Sequence, residues 1–348
     1  MPEVLPECDE LRYVSDVQPG IRRRRTASGF CYYDASRRRI TDPATLKRIK
    51  ALAIPPAYRD VWICPDPNGH LQATGRDARG RKQYRYHPAW AQQRGQNKYE
   101  SLLEFGQALP RIRRAVRQNL TRRRLDADKV VAVVVRLLEV THIRIGTRQY
   151  ALENQSYGLT TLKRRHAKVS GNELRLCFRG KSGVRHDVTV RDARLARIVK
   201  RCMELPGQQL FNYRGSDGRL HAVTSHSVNN YLKKVTGGDF SAKDYRTWAG
   251  SVYAFSSLQK DYADANNRQK AVVEVVKQVA KRLNNTPAVC RACYIHPSVI
   301  EAYLDGTLPA PVETRAPSEL RSAERRFLAF LKAQRKRKRK STTAPLPQ

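Results

Sequence analysis

The sequence predicts an α+β protein in which a small β-rich amino-terminal domain precedes a larger, mainly helical domain. In roughly the first ninety residues, short aromatic and β-branched runs such as 30–33 and 61–64 alternate with Gly, Pro and Asp. That alternation is typical of strands joined by turns. At residues 99–140, apolar residues recur at the spacing of helices buried on one side. The change of pattern therefore separates two domains.

Two changes in composition set the predicted domain limits. Residues 90–97 are rich in Gln, Gly and Asn, and residues 307–317 contain three prolines, so we interpret both segments as linkers. We accordingly expect an amino-terminal domain at residues 1–90, a second domain at 91–317, and a carboxy-terminal helix with a basic tail at 318–348.

Local signals predict individual helices. Thr41 and Asp42 are capping candidates for a helix that continues to Ala53. Residues 318–333 are predicted to form one amphipathic helix. The six cationic residues 335–340 are predicted to be disordered and to act as a non-specific nucleic-acid arm.

A short β-sheet is predicted inside the helical domain. Apolar and polar residues alternate over 173–178 and again over 184–190, with Gly-Lys-Ser-Gly at 180–183 between them. This pattern is typical of a β-hairpin. The Gly-Lys-Ser run also resembles half of a phosphate-binding P-loop, but Arg175 occupies the position of the required upstream glycine. ATP binding at this turn is therefore disfavoured.

Charge is the most unusual bulk property of the chain. The 67 Lys and Arg against 31 Asp and Glu leave a formal net charge of +36. So large a surplus destabilises the compact state unless a polyanion neutralises it, and nucleic acid is the expected partner. Basic clusters extend from residue 22 to residue 340, which indicates a long binding surface. A membrane is disfavoured because there is no apolar run of about 18 residues and no opening signal segment.

Cysteine and carboxylate usage argues against a bound metal. Seven cysteines, an odd number, predict reduced thiols in a cytosolic compartment. Cys290 and Cys293 form a single Cys-x-x-Cys pair, and zinc would need two more ligands where only His296 is near. The carboxylates show no cluster suited to Mg²⁺. We therefore expect no metal and no cofactor, which disfavours a metal-dependent nuclease or polymerase.

Phosphodiester transfer without a metal has three chemical requirements. It needs a nucleophile, positive charge beside the transition state, and an acid for the leaving oxygen. Arginine donates bidentate hydrogen bonds to phosphate oxygens, and lysine can be the acid where other cations lower its pKa. Composition alone does not show which of the 67 basic residues and 16 tyrosines would take these roles.

Five blocks of sequence indicate which of these residues take part. The blocks are Thr-Gly-Arg-Asp-Ala-Arg-Gly-Arg-Lys-Gln-Tyr-Arg-Tyr-His-Pro at 74–88, Ile-Arg-Ile-Gly at 143–146 with Tyr-Gly-Leu-Thr-Thr-Leu at 157–162, Gly-Lys-Ser-Gly at 180–183, Lys-Asp-Tyr-Arg-Thr-Trp at 243–248, and residues 285–297. In this order along the chain they resemble the type IB DNA topoisomerases of the compact branch found in poxviruses and bacteria. Each block alone is weak evidence, whereas five in order at the expected spacing are specific.

The resemblance implies a role for each site residue. Tyr294 would be the nucleophile that attacks phosphorus, Arg144 and Arg246 would bind the non-bridging oxygens, and Lys181 would protonate the departing 5′ oxygen. Asn285 lies where many members carry histidine, so it can donate a hydrogen bond to a phosphate oxygen without bringing a charge. The implied product is a 3′-phosphotyrosyl link that is resealed without ATP.

The resemblance also implies contacts to double-stranded DNA. The residues concerned are Arg81, Gln83, Tyr84, Tyr86, Thr147, Tyr150 and Lys243. Gln83 can pair with adenine in the major groove, and Tyr84 and Tyr86 share one face of a strand. Thr147 lies where some viral members are basic, so a salt bridge to phosphate is not expected there. Together the two domains would form a C-shaped monomeric clamp around DNA, in the cytoplasm and associated with the nucleoid.

Other interpretations stay open at this point. Tyr84 and Tyr86 could be a packed aromatic pair, and Asn285 could cap a helix that starts at residues 286–287. A tyrosine recombinase shares the chemistry, but recombinases usually carry histidine where this chain has Lys243. A basic architectural protein that coats DNA would explain the charge but would leave the five ordered blocks as an accident.

Overall fold

One antiparallel five-stranded sheet forms the amino-terminal part of the protein. Its strands are β1 (Ile21–Thr26), β2 (Gly29–Tyr33), β3 (Arg59–Ile63), β4 (Leu71–Arg76) and β5 (Lys82–Tyr86), in the spatial order β2-β1-β3-β4-β5. Apolar residues of the sheet, including Ile21 and Ile63, are buried with Ile49 of helix α1 (Pro43–Ala51). The predicted β-rich domain with one helix is confirmed.

Helix α1 begins where its capping signal predicts. The Asp42 carboxylate accepts a hydrogen bond of 2.7 Å from the Thr45 backbone N–H. Pro43 fits the first turn because the N–H that it lacks would have no partner in the helix. Of the two capping candidates, Asp42 is therefore the cap.

The structure is a computed structural model that describes residues 11–260, 267–312 and 319–342. The chain divides into two compact units, Met1–Lys98 and Tyr99–Gln348. Among the described residues, no helix is long and apolar enough to cross a membrane.

The second unit is mainly helical, as predicted. From residue 88 onward the helices are α2 (Pro88–Thr121), α3 (Ala127–Thr141), α4 (Arg148–Asn154), α5 (Ala193–Glu204), α6 (Ser225–Thr236), α7 (Ala242–Leu258), α8 (Arg268–Leu283), α9 (Pro287–Cys293), α10 (Pro297–Leu304) and α11 (Ser322–Thr342). A three-stranded sheet, in the order β6-β7-β8, consists of β6 (Ala167–Ser170), β7 (Glu173–Arg179) and β8 (Arg185–Arg191). A small hairpin consists of β9 (Asn212–Arg214) and β10 (Leu220–Ala222).

Helix α3 lies at the centre of this unit. Its six consecutive residues 130–135 are all buried, together with Leu137 and Leu138. β-Branched valines have modest helix propensity, so this helix owes its stability to burial against α5, α6 and α7 rather than to local preference. The carboxy-terminal end of α3 is thereby held rigidly, and the Arg144 segment follows directly from it.

Helix α2 corrects the predicted linker at 90–97. Those residues are helical, because α2 runs from Pro88 to Thr121. A single Gly95 costs a helix only about 1 kcal/mol, and the buried residues Leu102, Phe105 and Leu109 of the same helix offset that cost. The Gln-rich composition indicated a linker, but Gln, Arg and Ala are also good helix formers.

Helix α11 corrects the predicted carboxy-terminal tail. The helix extends over Ser322–Thr342, so residues 335–340 continue it instead of being disordered. Lys and Arg are good helix formers, and Phe327, Phe330 and Leu331 anchor the preceding turns in the core. Of the second predicted linker, residues 307–312 form neither helix nor strand, and 313–318 lie outside the described residues.

A buried ion-pair network attaches α11 to the rest of the unit. Arg113 of α2 lies between Glu139 and Glu324, each at 2.7 Å, and the three side chains are 6–12% exposed. The Glu324 carboxylate also accepts a hydrogen bond of 3.3 Å from the indole N–H of Trp248, on α7. Burial by itself would raise the pKa of Glu324, but the hydrogen bond from Arg113 holds it below its ordinary value of 4.5.

Replacement of Glu324 by glutamine tests this network. Because Arg113 would lose one of its two buried carboxylate partners, we expect the free energy of unfolding to fall by about 3 kcal/mol. Since the folded state depresses the pKa of Glu324, its contribution is present above pH 4.5 and is lost as the pH falls through the folded-state pKa. Urea unfolding from pH 7 to pH 3 measures both effects.

The matched control is Glu319→Gln. Glu319 pairs with Arg117, and both side chains are more exposed than those of the buried network. An exposed pair contributes about 1 kcal/mol or less. Equal losses in the two variants at pH 7 would contradict a special role for Glu324.

Candidate active site

Arg246 lies on the second turn of α7, a helix whose start is well defined. The Ser241 N–H donates to the Asp244 carboxylate at 2.7 Å, which caps the first turn. The Ala242 N–H donates to the Asn229 side chain of α6 at 3.2 Å. These bonds set the register in which α7 turns Arg246 towards the interior.

The Arg246 side chain is 3% exposed and holds two helix ends together. Its guanidinium donates to the carbonyl of His142, just after α3, and at 2.8 Å to the carbonyl of Leu283, the last residue of α8. The guanidinium carbon also lies 5.0 Å from the centroid of the Tyr294 ring. Arginine keeps its charge even when buried, so a fixed cation faces the tyrosine.

Tyr294 lies at the junction between α9 and α10. Its N–H donates to the Cys290 carbonyl at 2.9 Å, which ends α9. The Ser251 hydroxyl of α7 donates to the Tyr294 carbonyl at 3.3 Å and accepts from the His296 N–H at 2.9 Å. At Gly250, a Cβ atom would lie 2.5 Å from the Tyr294 carbonyl oxygen, so glycine is needed for this close approach. Helix α7 thus positions both Arg246 and the tyrosine backbone.

Arg144 lies in an extended segment between α3 and α4. The Leu159 N–H donates to the Arg144 carbonyl at 2.9 Å, and Gly146 and Gly158 pack backbone against backbone. The Arg144 guanidinium donates to the Asn284 carbonyl at 3.4 Å. Two segments of one sequence block, 143–146 and 157–162, are therefore hydrogen-bonded to each other. Their pairing directs Arg144 towards the end of α8.

Lys181 lies in the turn between β7 and β8, as predicted. The Gly180 N–H donates to the Val184 carbonyl at 2.7 Å and closes the turn, while Ser182 and Gly183 adopt positive φ. The exposed Lys181 ammonium lies 5.7 Å from the Tyr150 ring centroid. The turn also meets buried His186, which in turn contacts Asn284 at the end of α8.

Asn285 lies between the end of α8 and the start of α9. Its N–H donates to the Ala280 carbonyl at 2.9 Å, and its side-chain oxygen accepts from the Thr286 N–H at 3.1 Å. The cap of α9 is Thr286, whose hydroxyl accepts from Val289. The interpretation of Asn285 as the cap is therefore wrong, and its amide nitrogen is the group suited to donate elsewhere.

Burial and neighbouring cations keep two histidines of this site neutral. Burial lowers the pKa of His142 to about 4, and Arg282 and Arg246 add to the effect. Burial also lowers the pKa of His186, with Arg144 and Arg246 contributing. For Arg246, burial and then Arg144 lower the pKa, whereas Tyr294 opposes the fall. The positive charge of the site therefore comes from arginine and not from histidine.

The structure joins the predicted residues into one arrangement, but through residues that sequence reasoning missed. His142, Leu283 and Asn284 supply the contacts that hold the two arginines, and Gly250 and Ser251 hold the tyrosine backbone. Two of these, His142 and Asn284, adopt left-handed backbone at the ends of α3 and α8. Asparagine is one of the residues that adopt this conformation after a helix, so Asn284 is the one that its residue type could have indicated.

The residues predicted to contact DNA in the first unit lie on and beside β5. Asp77 binds the Arg81 guanidinium at 2.7 Å and the Gln83 amide at 2.9 Å, and the Arg81 bond contributes to holding the pKa of Asp77 at about 2. The Tyr84 and Tyr86 rings stack 6.1 Å apart and are 49% and 44% exposed. They form an aromatic pair and also present a face to solvent.

The three remaining predicted contacts lie around the arginines of the second unit. Thr147 caps α4 by accepting from the Tyr150 N–H at 3.4 Å, and the Tyr150 ring faces Lys181. Lys243 is exposed on the first turn of α7. Among the described residues, no group of three or more His, Cys, Asp or Glu side chains is arranged to hold a metal ion.

Two family models and several viral proteins match this chain. A family model described as the catalytic core of eukaryotic DNA topoisomerase I matches residues 87–308, and a model described as the amino-terminal domain of bacterial DNA topoisomerase IB matches residues 29–77. The chain is 30% identical over 293 residues to a DNA topoisomerase 1B of Acanthamoeba polyphaga mimivirus, which covers 82% of this chain and 87% of the viral protein.

Poxvirus proteins are similar at lower identity. A DNA topoisomerase 1B of Vaccinia virus (strain Copenhagen) is 25% identical over 256 residues, 71% of this chain and 76% of the viral protein. A DNA topoisomerase 1 of Rabbit fibroma virus (strain Kasza) is 24% identical over 264 residues, 74% of this chain and 81% of that protein.

These matches extend over most of the chain, and the match to the catalytic core includes the last four of the five blocks of the predicted resemblance. The fold, the site and the matches together define an enzyme of the topoisomerase class. The chain belongs to the type IB DNA topoisomerase family and is therefore an isomerase whose substrate is DNA. The amino-terminal match indicates the bacterial branch.

Replacement of Arg246 by lysine tests the arrangement around α7. Lysine keeps one charge but has no planar fork, so it does not donate to both carbonyls while facing Tyr294. We expect the rate of plasmid relaxation to fall by about 100-fold or more, the effect of losing one preorganised donor beside a transition state. The matched control is Arg282→Lys, because the Arg282 guanidinium also lies 5.0 Å from a tyrosine ring, that of Tyr253. A similar loss in both variants would contradict the prediction.

Proposed function

We propose that this enzyme relaxes supercoiled duplex DNA by cutting and resealing one strand through a 3′-phosphotyrosyl intermediate on Tyr294. The observation that carries the proposal is the buried Arg246 guanidinium beside the Tyr294 ring. A buried cation is costly unless its charge is used or fully paired. The two carbonyls that hold Arg246 are neutral, so a phosphate beside the tyrosine would complete its neutralisation.

In the proposed cleavage step, Tyr294 Oη forms a bond to phosphorus and the bond between phosphorus and the 5′ oxygen breaks. The phenolic proton leaves to solvent, and Lys181 gives a proton to the departing 5′ oxygen. The reverse step reseals the strand, with the 5′ hydroxyl as nucleophile and the tyrosine as leaving group. While the strand is open, rotation of the free end releases supercoils.

Three side chains would stabilise the charge that develops on the non-bridging oxygens. Arg246 and Arg144 are both held by carbonyls at the end of α8, those of Leu283 and Asn284, so their positions are coupled. Preorganised donors of this kind contribute more than flexible ones because they need no reorganisation during the reaction. Asn285, the next residue in the chain, would add one neutral hydrogen bond from its amide nitrogen.

The proposed reaction needs neither ATP nor a metal. One phosphodiester is exchanged for another of similar energy, so the tyrosyl linkage conserves the free energy needed for religation. The arginines supply the positive charge that a metal ion supplies in other phosphoryl-transfer enzymes.

Contacts to duplex DNA are proposed in both units. In the first unit, the exposed Tyr84 and Tyr86 rings and the Gln83 amide would reach base edges, and Arg81 would bind phosphate. In the second unit, Thr147, Tyr150 and Lys243 would position the strand around the arginines. All five proposed catalytic residues belong to one chain, so we propose that a monomer is active.

The nucleophile is tested by Tyr294→Phe. The variant keeps the ring beside Arg246 but lacks the attacking oxygen, so relaxation of a supercoiled plasmid without a recombination site should be lost. The wild-type enzyme should relax the plasmid in EDTA without ATP and should give a covalent protein–DNA adduct when denaturant stops the reaction.

Tyr253→Phe is the matched control, because Tyr253 also has an arginine over its ring and lies on α7. That variant should retain relaxation and adduct formation. An adduct formed by Tyr294→Phe would reject Tyr294 as the nucleophile, and failure of the wild-type enzyme in EDTA would reject the metal-free mechanism.

The general acid is tested by Lys181→Ala on two substrates. Cleavage of normal DNA should slow by about 100-fold or more, the typical contribution of a general acid. A substrate with sulfur in place of the 5′ bridging oxygen needs no acid, because a thiolate is a much better leaving group. Cleavage of that substrate should therefore stay near the wild-type rate. As a control, Lys168→Ala, an exposed lysine on β6, should show no substrate-dependent difference.

A further inference from the structure

We propose that His186 is a positioning residue that holds the Lys181 turn in register with Asn284 and Asn285, so that the acid and the oxygen-binding groups act on the same phosphate. The proposal rests on the function proposed above for Lys181. His186 has no assigned role in that function, and its own contacts carry the inference.

His186 is a buried polar side chain at the start of β8. It is 4% exposed and stacks on Phe178 of β7, with ring centroids 4.7 Å apart and planes 2° from parallel. Phe178 and His186 are also register partners in the sheet. The sheet and the stacking together leave the imidazole little freedom, so it can transmit position from one neighbour to another.

One edge of the imidazole supports the base of the lysine turn. A Cβ atom at Gly180 would lie 2.5 Å from His186 Nε2. The backbone of Gly180 is extended, with φ −95°, so its conformation alone does not require glycine. Glycine is required because Gly180, the residue just before Lys181, packs directly against the imidazole.

The other edge of the imidazole meets the end of α8. The Asn284 side chain and His186 Nδ1 are 3.4 Å apart. The carbonyl of the same Asn284 accepts the hydrogen bond from Arg144, and Asn285 follows it directly. A single ring therefore lies between the turn that carries the acid and the segment that orients two phosphate-binding groups.

The protonation state of His186 suits this role. Burial, Arg144 and Arg246 all lower its pKa, so the ring is neutral at pH 7. Because an amide nitrogen can only donate, His186 Nδ1 accepts from Asn284 and the proton lies on Nε2. A neutral ring also avoids adding a third cation beside the two arginines.

A purely structural role makes a different prediction from a positioning role. If His186 only filled space, its loss would slow cleavage equally on every substrate. If it positions Lys181, its loss should slow cleavage only where the leaving 5′ oxygen needs a proton. The two substrates that test Lys181 therefore separate the two roles.

The experiment measures single-turnover cleavage by His186→Ala on normal DNA and on DNA with a 5′ bridging sulfur. We expect a loss of about 10-fold or more on normal DNA, part of the contribution of a general acid. On the sulfur substrate the rate should return to within about threefold of wild type. Gly180→Ala, which displaces the turn from the other side of the same contact, should give the same selective pattern even if His186→Ala folds poorly.

His166→Gln is the matched control. His166 is a half-buried histidine that, like His186, packs on an aromatic ring, that of Tyr157 at 4.6 Å. Its Nδ1 accepts from the Lys163 N–H instead of supporting the lysine turn. It should cleave both substrates at similar rates relative to wild type. Thermal unfolding midpoints of all variants show that the comparison is made on folded protein.

Each remaining outcome has a separate meaning. Equal losses on both substrates for His186→Ala and Gly180→Ala, with Lys181→Ala still rescued by sulfur, would overturn the positioning role alone. Full activity of both variants on normal DNA would do the same. Absence of sulfur rescue for Lys181→Ala would overturn the acid role proposed for Lys181, and the positioning proposal with it.

Discussion

The buried guanidinium of Arg246 is the interaction on which the rest of the site depends. It joins the carbonyl after α3, the carbonyl at the end of α8 and the ring of Tyr294, three places far apart in the chain. A buried guanidinium needs hydrogen-bond acceptors, so its bonds to these two carbonyls hold the helix ends beside α7. Gly250 and Ser251 on the same helix hold the tyrosine backbone, so one helix orders both the cation and its partner.

The site is built where carboxy-terminal helix ends converge. The C-caps of helices α3, α8 and α9 are His142, Asn284 and Tyr294. Unpaired carbonyls give such ends a partial negative charge, which attracts cations. The carbonyl contacts of Arg144 and Arg246 use this property and offset the repulsion between two neighbouring arginines. Both arginines are thus held by neutral backbone carbonyls, which compete with phosphate less than carboxylates would.

Helix α11 supports this arrangement from outside the matched family core, which ends at residue 308. Glu324 reaches the indole of Trp248, two residues beyond Arg246, and binds Arg113 in the buried network. At Gly106 of α2 a Cβ atom would lie 2.3 Å from the Trp248 ring, so the indole is confined on that side too. The carboxy-terminal segment therefore stabilises the helix that carries the buried arginine.

The sequence by itself determined the α+β class, a helix start at Thr41 or Asp42, the lysine turn and, through the ordered blocks, the candidate catalytic residues. These features depend on neighbours close in the chain or on motif resemblance. Only the tertiary structure decided that residues 90–97 and 335–340 are helical, since packing of the adjacent apolar residues outweighs local composition. It alone showed His142 and His186 beside the arginines, because contacts between residues about a hundred positions apart leave no periodic pattern.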